Sequence, residues 1–392
     1  MVKAQVTAII GGGPAGAVTA EALAKGGVRT LVFEEKLGWE KPCGGGLSYK
    51  ALKRYPFLGE ATGHGKQVAD IEFIAPSGDR VRLHLRSPLA IYSRATLNHL
   101  LLSRAEAAGA RVIPDRVLHF RRLGSGWELS CRTGTYRADF LVLASGARTR
   151  LRALLVEDFA WRDFMLTFGY YVPGEDDLLR IQFFQDLEGY AWAFPRPDHL
   201  SVGICAKVGE DRMAGLRERL HGFMRAFNYG TEHATIYSHL LPSLTEESWS
   251  NLRLAGQGWG LVGDAAGLVD PVTGEGIYYA MRSGELFAHA MLENSPGLYP
   301  DLVRQEFGRT MTHGAQLARL FYRGDFLGDA NTTRLIQFAA RTKTIKNLLQ
   351  DLIDGTQSYA GLGLRFYRGL VASIWEMATG FVDQSPRPPR PA

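Results

Sequence analysis

Apolar and polar positions alternate with different periods along the chain, and the changes of period mark its regions. Residues 4–10 form a nearly continuous apolar run, which is typical of a parallel strand buried on both faces. A glycine-rich turn follows, then small residues over 14–25 that predict a helix, and an apolar run over 30–33 that predicts a second strand. Together these elements predict one β-α-β unit. The same criteria predict a helix at 97–108 and strands at 111–114 and 140–144.

Short strands dominate the middle of the chain. Residues 117–138 alternate around two glycine turns, which predicts a small antiparallel meander. Four further strands are predicted at 164–172, 180–185, 190–194 and 200–206. The turns between them are rich in glycine, proline and aspartate, so we expect a second, antiparallel sheet. From 264 to 380 the pattern is mostly helical, and the proline-rich residues 384–392 are expected to be disordered.

The composition is that of an ordinary globular protein and excludes several functional classes. The 392 residues are 46% hydrophobic with a net charge of +5 and no long basic run, so no nucleic-acid partner is expected. Cys43, Cys131 and Cys205 are odd in number and far apart, so neither a disulfide framework nor a metal site is expected. No uncharged apolar stretch approaches the roughly 18 residues that span a bilayer. We expect a cytoplasmic protein, and peripheral contact with a membrane surface stays open.

The turn Gly-Gly-Gly-Pro-Ala-Gly at 11–16 satisfies the pattern G-x-G-x-x-G in a specific context. It follows a predicted strand, opens a helix and has acidic residues about 20 positions onward. Gly11 permits the tight turn, Gly13 lets the backbone approach a pyrophosphate, and Gly16 lets helix and strand pack closely. The helix N-terminus offers free N–H groups to phosphates. The residues expected to bind a dinucleotide here are Gly11, Gly13, Pro14, Ala15, Gly16, Glu34 and Glu35.

A second glycine turn, within residues 263–277, indicates which dinucleotide is bound. The sequence GDAAGLVDPVTGEGI resembles the second FAD motif of the flavoprotein monooxygenase superfamily, whose fold is that of p-hydroxybenzoate hydroxylase. The resemblance implies that Asp264 holds the ribitol or pyrophosphate of FAD and that two glycines border the isoalloxazine. It extends to an arginine ahead of a helix and to a small-residue turn after a strand. The FAD-contacting residues it implies are Arg94, Ala144, Gly146, Gly263, Asp264, Pro271, Gly274, Gly276 and Ile277.

The expected architecture is α/β, with a Rossmann-type FAD-binding domain, an antiparallel-sheet substrate domain and a helical C-terminal region. The predicted boundaries are 1–67, 88–160 and 250–292 for the first, 68–87 and 161–249 for the second, and 293–383 for the third. Only one strand-linked glycine fingerprint occurs, whereas separate FAD and NAD domains would show two. The external electron donor is therefore expected to visit transiently, as NAD(P)H or as a ferredoxin-type carrier.

Two short segments carry a narrower resemblance. KPCGGGL at 41–47 and YAWAFP at 190–195 are similar to signatures of the geranylgeranyl reductase family, flavoenzymes that hydrogenate isolated double bonds of polyprenyl chains. The family signature P-x-x-Y-x-W-x-F-P starts with a proline where this chain has Leu187. The resemblance implies an isoprenoid or prenyl-lipid substrate. It also adds Cys43, Gly44 and Gly45 to the residues expected near the flavin.

The aromatic row and the cysteine each allow two interpretations. Tyr190, Trp192 and Phe194 alternate along a predicted strand and therefore share one face. They either wall a pocket that holds a prenyl chain by apolar area, or form the core of the second sheet; the family resemblance favours the pocket. Saturating an alkene requires a hydride on one carbon and a proton on the other, and the Cys43 thiol is a candidate for that proton. Alternatively, Cys43 is an inert small residue in a glycine loop.

Other functions stay open at this stage. An oxygen-using hydroxylase or halogenase shares the expected fold. The halogenase signature W-x-W-x-I-P lacks its first Trp and its Ile here, whereas Lys41, Lys50 and Lys53 are candidates for the haloamine lysine. A flavin-binding protein without catalysis is a third alternative. The basic amphipathic stretches at 334–349 and 364–375 either pack on the protein's own core or rest on a bilayer.

Overall fold

The computed structural model describes residues 5–60, 64–366 and 368–369, and it opens with the predicted β-α-β unit. The first helix starts at Pro14, whose fixed φ suits the first position of a helix. The elements of this part are β1 (Val6–Ile10), α1 (Pro14–Lys25), β2 (Arg29–Phe33), β3 (Gly46–Leu47), α2 (Tyr49–Arg54), α3 (Phe57–Glu60), β4 (Gly65–Ile74), β5 (Arg80–Tyr92), α4 (Arg94–Ala107), β6 (Arg111–Ile113), β7 (Val117–Leu123), β8 (Gly126–Cys131), β9 (Thr135–Ala138) and β10 (Phe140–Leu143).

The middle of the chain completes a large second sheet. Its elements are β11 (Phe164–Pro173), β12 (Leu178–Phe183), β13 (Gly189–Pro195), β14 (His199–Lys207), α5 (Met213–Ala226), β15 (Thr235–Pro242) and α6 (Glu246–Ser250). The sheet has eight strands in the order β15-β11-β14-β13-β12-β4-β5-β3. Neighbours are antiparallel except β4 and β12, which run parallel, so the expectation of a purely antiparallel sheet is wrong for that pair. The connection from β4 to β12 is long enough for parallel pairing, whereas short turns join β4 to β5, β12 to β13 and β13 to β14.

The last part contains two short strands of the first sheet and most of the long helices. Its elements are β16 (Ala255–Gly256), β17 (Trp259–Leu261), α7 (Ile277–Leu292), α8 (Tyr299–Arg323), β18 (Asp325–Phe326), β19 (Asp329–Ala330), α9 (Asn331–Arg341) and α10 (Lys343–Ile353). The hairpin of β18 and β19 interrupts the region that the sequence predicted as helical. The predicted helical residues 370–380 and the tail at 384–392 lie outside the described residues.

The first sheet brings three chain segments to one edge. Its order is β16-β17-β10-β1-β2-β6, and all neighbours except β16 and β17 are parallel. Ile10 pairs with both Phe33 and Leu143, so β1, β2 and β10 end side by side. The glycine turn, the acidic pair after β2 and the small-residue turn after β10 therefore meet at the carboxyl edge, where ligands bind in such sheets.

The helices α9 and α10 cover one face of the second sheet. Ile336 and Leu348 are buried in one core cluster with Ile71, Leu179 and Ile181 of the sheet. The apolar faces of both helices are therefore turned to the protein's own interior, as the packing interpretation of residues 334–349 expected. The predicted α/β fold, with a glycine-turn sheet, a second sheet and a helical C-terminal region, is confirmed.

Candidate functional site

The glycine turn after β1 is tightly packed at Gly11 and Gly16 but leaves free space beside Gly13. Gly11 has a φ of 107° and its N–H donates to the carbonyl oxygen of Phe33 at 2.9 Å. A Cβ atom on Gly16 would lie 1.9 Å from the carbonyl oxygen of Gly11, so only glycine fits there. A Cβ atom on Gly13 would meet nothing within 4 Å, and Gly13 lines a large cavity together with Pro14 and Ala15. The N-terminus of α1 is therefore reachable by a phosphate.

The acidic pair after β2 supports this turn. A Glu34 carboxylate oxygen accepts the N–H of Gly12 at 2.8 Å, so the side chain fixes the turn from the neighbouring strand. Glu35 forms ion pairs with the exposed Arg116 at 3.5 Å and Arg132 at 3.3 Å. Both carboxylates line the same cavity. The other Glu34 oxygen accepts the N–H of Lys36 at 2.8 Å, so both oxygens bind the backbone, and the side chain lies where a ribose would be bound.

Buried polar atoms without partners adjoin the small-residue turn after β10. The Ala144 N–H donates to the carbonyl oxygen of Ile10 at 2.8 Å, and Gly146 has a φ of 81°. The Arg94 Nε and the Ser145 hydroxyl are buried without a hydrogen-bond partner in the described part of the chain. Arg94, Ala144, Ser145 and Gly146 all line the cavity. Unpaired donors at this edge are what a ligand rich in acceptors requires.

Asp264 lies in a cluster of ionisable groups that the sequence did not predict. The Lys41 ammonium lies 2.7 Å from an Asp264 carboxylate oxygen. Burial alone would raise the pKa of the Asp264 carboxyl, but Lys41 holds this pKa below its usual value and keeps the carboxylate charged. Burial, reinforced by Lys41, lowers the pKa of His239 to about 3, so the imidazole is neutral at neutral pH. The His239 Nε2 has no partner among the described residues, and the side chain lines the cavity.

Asp270 organises the loop that leads into α7. One of its carboxylate oxygens accepts the N–H groups of Val272 and Thr273, each at 2.9 Å. The same oxygen accepts the hydroxyl of Tyr359 at 2.8 Å, which ties the loop to the C-terminal region. Gly274, which has a φ of 71°, lines the cavity with Gly276 and Ile277 at the start of α7.

Three of the predicted cofactor residues lie behind the cavity surface. Gly16 packs against the carbonyl of Gly11, as described above. Gly263 has a φ of 61°, and a Cβ atom there would lie 2.8 Å from the Cβ of Ala15 on α1. Pro271 is buried and packs near Gly314 of α8. These residues shape the site by close packing and are not among the residues that line it.

Hydrogen bonds from residues of the second sheet and the turn after β13 hold the Cys43 loop in place. The Cys43 carbonyl oxygen accepts hydrogen bonds from the Arg196 guanidinium at 2.6 Å and from the Ser201 hydroxyl at 3.0 Å. Its Sγ accepts the N–H of Gly45 at 3.3 Å. Cys43, Gly44 and Gly45 all line the cavity. The cysteine, which is partly buried, is therefore held at the cavity by its backbone.

The glycines that follow Cys43 make room for an aromatic ring of the protein itself. Cβ atoms on Gly44 and Gly46 would lie 3.1 Å and 2.7 Å from the ring of Phe194. Gly45 has a φ of 85°, and a Cβ atom there would lie 2.0 Å from the carbonyl oxygen of Tyr92. The aromatic row and the cysteine loop, which the sequence presented separately, are thus in direct contact.

Glu40 and Arg196 join this loop to α4. Arg196 is completely buried and donates to a Glu40 carboxylate oxygen at 2.7 Å. Glu40 also accepts the N–H groups of Arg94 and Ala95 at 2.8 and 2.9 Å, so it caps the N-terminus of α4. One carboxylate therefore fixes the start of the helix that carries Arg94 and, through Arg196, the position of Cys43.

The aromatic row of β13 faces the cavity. Tyr190, Trp192 and Phe194 line it, whereas Ala191 and Ala193 on the opposite face pack in a different core cluster. The Tyr190 hydroxyl donates to the carbonyl oxygen of Thr273 at 2.6 Å, beside the loop that leads into α7. Burial raises the pKa of Tyr190 well above its usual value, so the phenol stays neutral.

A single cavity joins these features. Its volume is about 2150 Å³, about twice the upper end of typical ligand sites, roughly 1,000 Å³. It extends from the glycine turn past Cys43 and the aromatic row into an apolar chamber between the second sheet and α8–α10. The sheet contributes Ile71, Phe73, Leu89, Leu179, Ile181 and Phe183. The helical side contributes Phe321, Leu335, Ile336, Leu348, Leu352 and Leu362.

The residues present fit FAD. A long dinucleotide that is rich in hydrogen-bond acceptors suits three features of the site. These are the accessible N-terminus of α1, the free space beside Gly13 and the unpaired donors of Arg94 and Ser145. No group of three or more His, Cys, Asp and Glu side chains suited to a metal ion occurs among the described residues. In the same part of the chain, no helix is long and apolar enough to cross a membrane.

Sequence reasoning missed five residues that organise the site. Lys41 and Asp270 lie inside quoted motifs, but their partners come from distant segments, so only the fold reveals their roles. Glu40, Arg196 and His239 belong to no motif used here. The missed residues are Glu40, Lys41, Arg196, His239 and Asp270.

Comparison with known proteins agrees with this geometry. Residues 3–169 match the family described as FAD binding domain. The chain is 28% identical over 319 residues to the chloroplastic geranylgeranyl diphosphate reductase of Oryza sativa subsp. japonica, covering 74% of this chain and 66% of that protein. The chain thus spans just under two thirds of the length of this relative. It is also 28% identical over 386 residues to a menaquinone reductase of Mycobacterium tuberculosis, covering 88% and 91% of the two chains.

Solved structures share the fold. A geranylgeranyl bacteriochlorophyll reductase-like protein from Thermoplasma acidophilum superposes with a TM-score of 0.76 at 21% identity, covering 93% of this chain and 99% of the other. A flavin-dependent brominase superposes with a TM-score of 0.70 at 17% identity, covering 93% and 98%. At these identities the superpositions establish the architecture alone.

Proposed function

Because this chain belongs to the FAD-dependent oxidoreductases and resembles the geranylgeranyl reductases, we propose that it hydrogenates C=C bonds of a polyprenyl chain. The observation that carries the proposal is the continuity of the cavity. The glycine turn and the apolar chamber open into the same space, and Cys43 and the aromatic row lie between them. A cofactor in the first part and a hydrocarbon in the second would therefore meet beside Cys43.

The apolar chamber suits an isoprenoid better than a polar substrate. A prenyl chain offers no polar handle, so it is bound through buried apolar area at about 25 cal/mol per Å². The chamber walls between the second sheet and α8–α10 are formed mainly by Leu, Ile and Phe side chains. Tyr190 has its hydroxyl committed to the Thr273 carbonyl, so it presents mainly ring surface to the cavity. Rigid rings supply such area at little cost in entropy.

Cys43 is the proposed proton donor. When bound and reduced, FAD supplies the hydride that adds to one carbon of the double bond. The Cys43 thiol gives its proton to the other carbon, and the resulting thiolate is reprotonated from solvent, so the substrate gains two hydrogen atoms. The hydrogen bonds of Arg196 and Ser201 to the Cys43 carbonyl keep the thiol on the cavity surface. The Phe194 ring packs against Gly44 and Gly46 of the same loop.

The electrons are proposed to come from a transient donor, NAD(P)H or a ferredoxin-type carrier. The chain has a single strand-linked glycine fingerprint, which the FAD would occupy. Anaerobic reduction of the bound flavin by NADH, NADPH or reduced ferredoxin, followed at the flavin absorbance, distinguishes these donors.

Narrowing the chamber tests the proposed substrate. Leu352 is a half-buried residue of α10 that lines the chamber, far along the chain from every cofactor motif. We expect Leu352→Trp to raise the KM for a geranylgeranyl substrate about tenfold or more, because the added ring takes up chain-binding volume. Leu352→Met conserves volume and serves as the control. The flavin content of both variants should equal that of the wild type, and an unchanged KM in Leu352→Trp would contradict the proposed chamber.

A flavin-dependent monooxygenase or halogenase is the second candidate, favoured by the fold shared with the brominase and by a lysine in the cavity. Lys41 is paired with Asp264 at 2.7 Å, and Lys50 with Glu275 at 3.1 Å, so neither ammonium is free of a carboxylate. Lys53 is not among the residues that line the cavity. Product formation that requires oxygen would support this candidate.

A further inference from the structure

The tip of the β18–β19 hairpin places a leucine in water. Leu327 is 68% exposed, the largest value among the large apolar side chains of the described residues. It forms a two-residue turn with Gly328, and both have positive φ, 53° and 75°. Hairpin turns with two positive φ values favour Asn-Gly, because a branched apolar side chain is strained in that conformation. Leu327 is therefore unfavourable for stability in two ways, because its apolar side chain is in water and its backbone has a strained φ. Residues that are retained in spite of such destabilisation are typically functional.

The hairpin borders the mouth of the apolar chamber. Phe326 of β18 and Leu320 of α8 line the cavity, and Leu320 is 60% exposed on its outer side. Arg334 of α9 donates to the carbonyl oxygens of Phe326 and Leu327 at 3.2 and 2.6 Å, so the tip is held in place. The exposed tip is therefore directly adjacent in the chain to Phe326, an apolar residue that lines the cavity.

The neighbouring helices carry cations and, over residues 331–350, no carboxylate of their own. Nearby carboxylates are Asp79, which interacts with Arg334 and Arg341, and Asp325 and Asp329 of the hairpin. Residues 331–350, which include α9 and α10, contain Arg334, Arg341, Lys343 and Lys346 and no Asp or Glu. Arg341 and Lys343, at the junction of the two helices, are exposed. The apolar faces of these helices are turned inward against the second sheet, so a membrane would meet their basic side.

We propose that the β18–β19 hairpin docks on an anionic lipid surface, with Leu327 inserted among the lipids and the 331–350 cations against the headgroups. An exposed apolar tip beside basic residues is the combination that binds such surfaces. The inference rests on the proposed function only for the identity of the lipid that then enters the chamber. Docking itself requires neither flavin chemistry nor a prenyl substrate.

A turn-improving substitution separates docking from a structural role. Leu327→Asn supplies the residue that the turn favours, so we expect the thermal midpoint of the full-length holoprotein to be unchanged or higher. Its partition onto phosphatidylcholine vesicles containing phosphatidylglycerol should fall about tenfold, because the inserted side chain is lost. The matched control is Leu298→Asn, which changes a leucine that is 51% exposed. It precedes the opposite end of α8, a helix about 37 Å long, and should bind like the wild type.

The cations are tested by charge removal. We expect each of Arg341→Gln, Lys343→Gln and Lys346→Gln to weaken binding to the anionic vesicles about fivefold. Added salt should weaken the wild-type binding, and vesicles of phosphatidylcholine alone should bind poorly. Failure of the wild-type holoprotein to bind anionic vesicles, or equal binding by Leu327→Asn, would overturn the proposal. Because vesicle binding is measured without substrate, this result is independent of whether a prenyl chain is reduced.

Discussion

At the scale of single residues, the account depends most on Cys43. We expect Cys43→Ala to lower the rate of alkene reduction about 100-fold, a typical effect of losing a general acid. FAD content and the rate of flavin reduction should be unchanged, because the loop is held through the Cys43 carbonyl. Single-turnover kinetics of the prereduced enzyme measure this. Cys131→Ala, in the meander, is the control, and a Cys43→Ala variant with full turnover would make Cys43 an inert residue of the loop.

His239 predicts a pH dependence of stability. Its pKa is lowered from 6.5 to about 3 in the folded protein, by burial and by Lys41, with Asp264 opposing and Arg94 reinforcing the effect. The unfolded chain therefore binds a proton that the folded chain excludes, so this group destabilises the fold as the pH falls from about 6.5 towards 3. We expect His239→Gln to flatten the loss of the thermal midpoint across this window. The exposed His119→Gln should follow the wild type, and identical profiles for all three proteins would contradict the assignment.

Residues whose role follows from the local backbone conformation could be predicted from the sequence. Residues whose role depends on a partner distant in the chain could not. Gly11 and Gly16 could be assigned from sequence because a tight turn and a close helix contact exclude every other side chain. His239 and Arg196 carry no such local signature. Glu40 lies 156 positions from Arg196, and Lys41 lies 198 positions from His239, so only the folded chain brings these pairs together.

At the scale of elements, one carboxylate connects α4 to the Cys43 loop and the end of β13. We expect Glu40→Ala to lower the free energy of unfolding by about 3 kcal/mol, because it leaves the completely buried Arg196 without its carboxylate and the first two N–H groups of α4 without their acceptor. Glu40→Gln keeps an acceptor for the helix N–H groups and should lose less. Urea unfolding of both variants measures the difference. A loss below about 1 kcal/mol in Glu40→Ala would show that the connection is unimportant.

Residues 68–87 were assigned to the substrate sheet, but no individual strand was predicted within them. Val81, Leu83 and Leu85 are buried and alternate with exposed residues along β5, so the period-two signal of a half-buried strand was available. The parallel pairing of β4 with β12 had no local signal, because register between segments about 100 positions apart depends on tertiary contacts. The β18–β19 hairpin was missed because Leu327-Gly328 lacks the usual turn chemistry.

At the scale of the whole molecule, three regions form the cavity: the glycine-turn sheet, the second sheet and the C-terminal helices. The sequence predicted a cofactor site and an aromatic wall, but not that α8–α10 would close the chamber over the second sheet. The amphipathic pattern of residues 334–349 was compatible with a membrane and with the protein interior. In the structure these helices pack on the face of the second sheet, to which residues 68–87 were assigned without individual strands. The apolar lining of this space is the physical reason for proposing a hydrocarbon substrate.

The most direct measurement of the central claim is an anaerobic single turnover. Holoprotein reduced with dithionite is mixed with a geranylgeranyl lipid without oxygen, and the product is analysed by mass spectrometry while the flavin absorbance is followed. We predict that the flavin is reoxidised and that the lipid gains two hydrogen atoms for each flavin oxidised. A lipid of unchanged mass beside a flavin that stays reduced until oxygen is admitted would contradict the account.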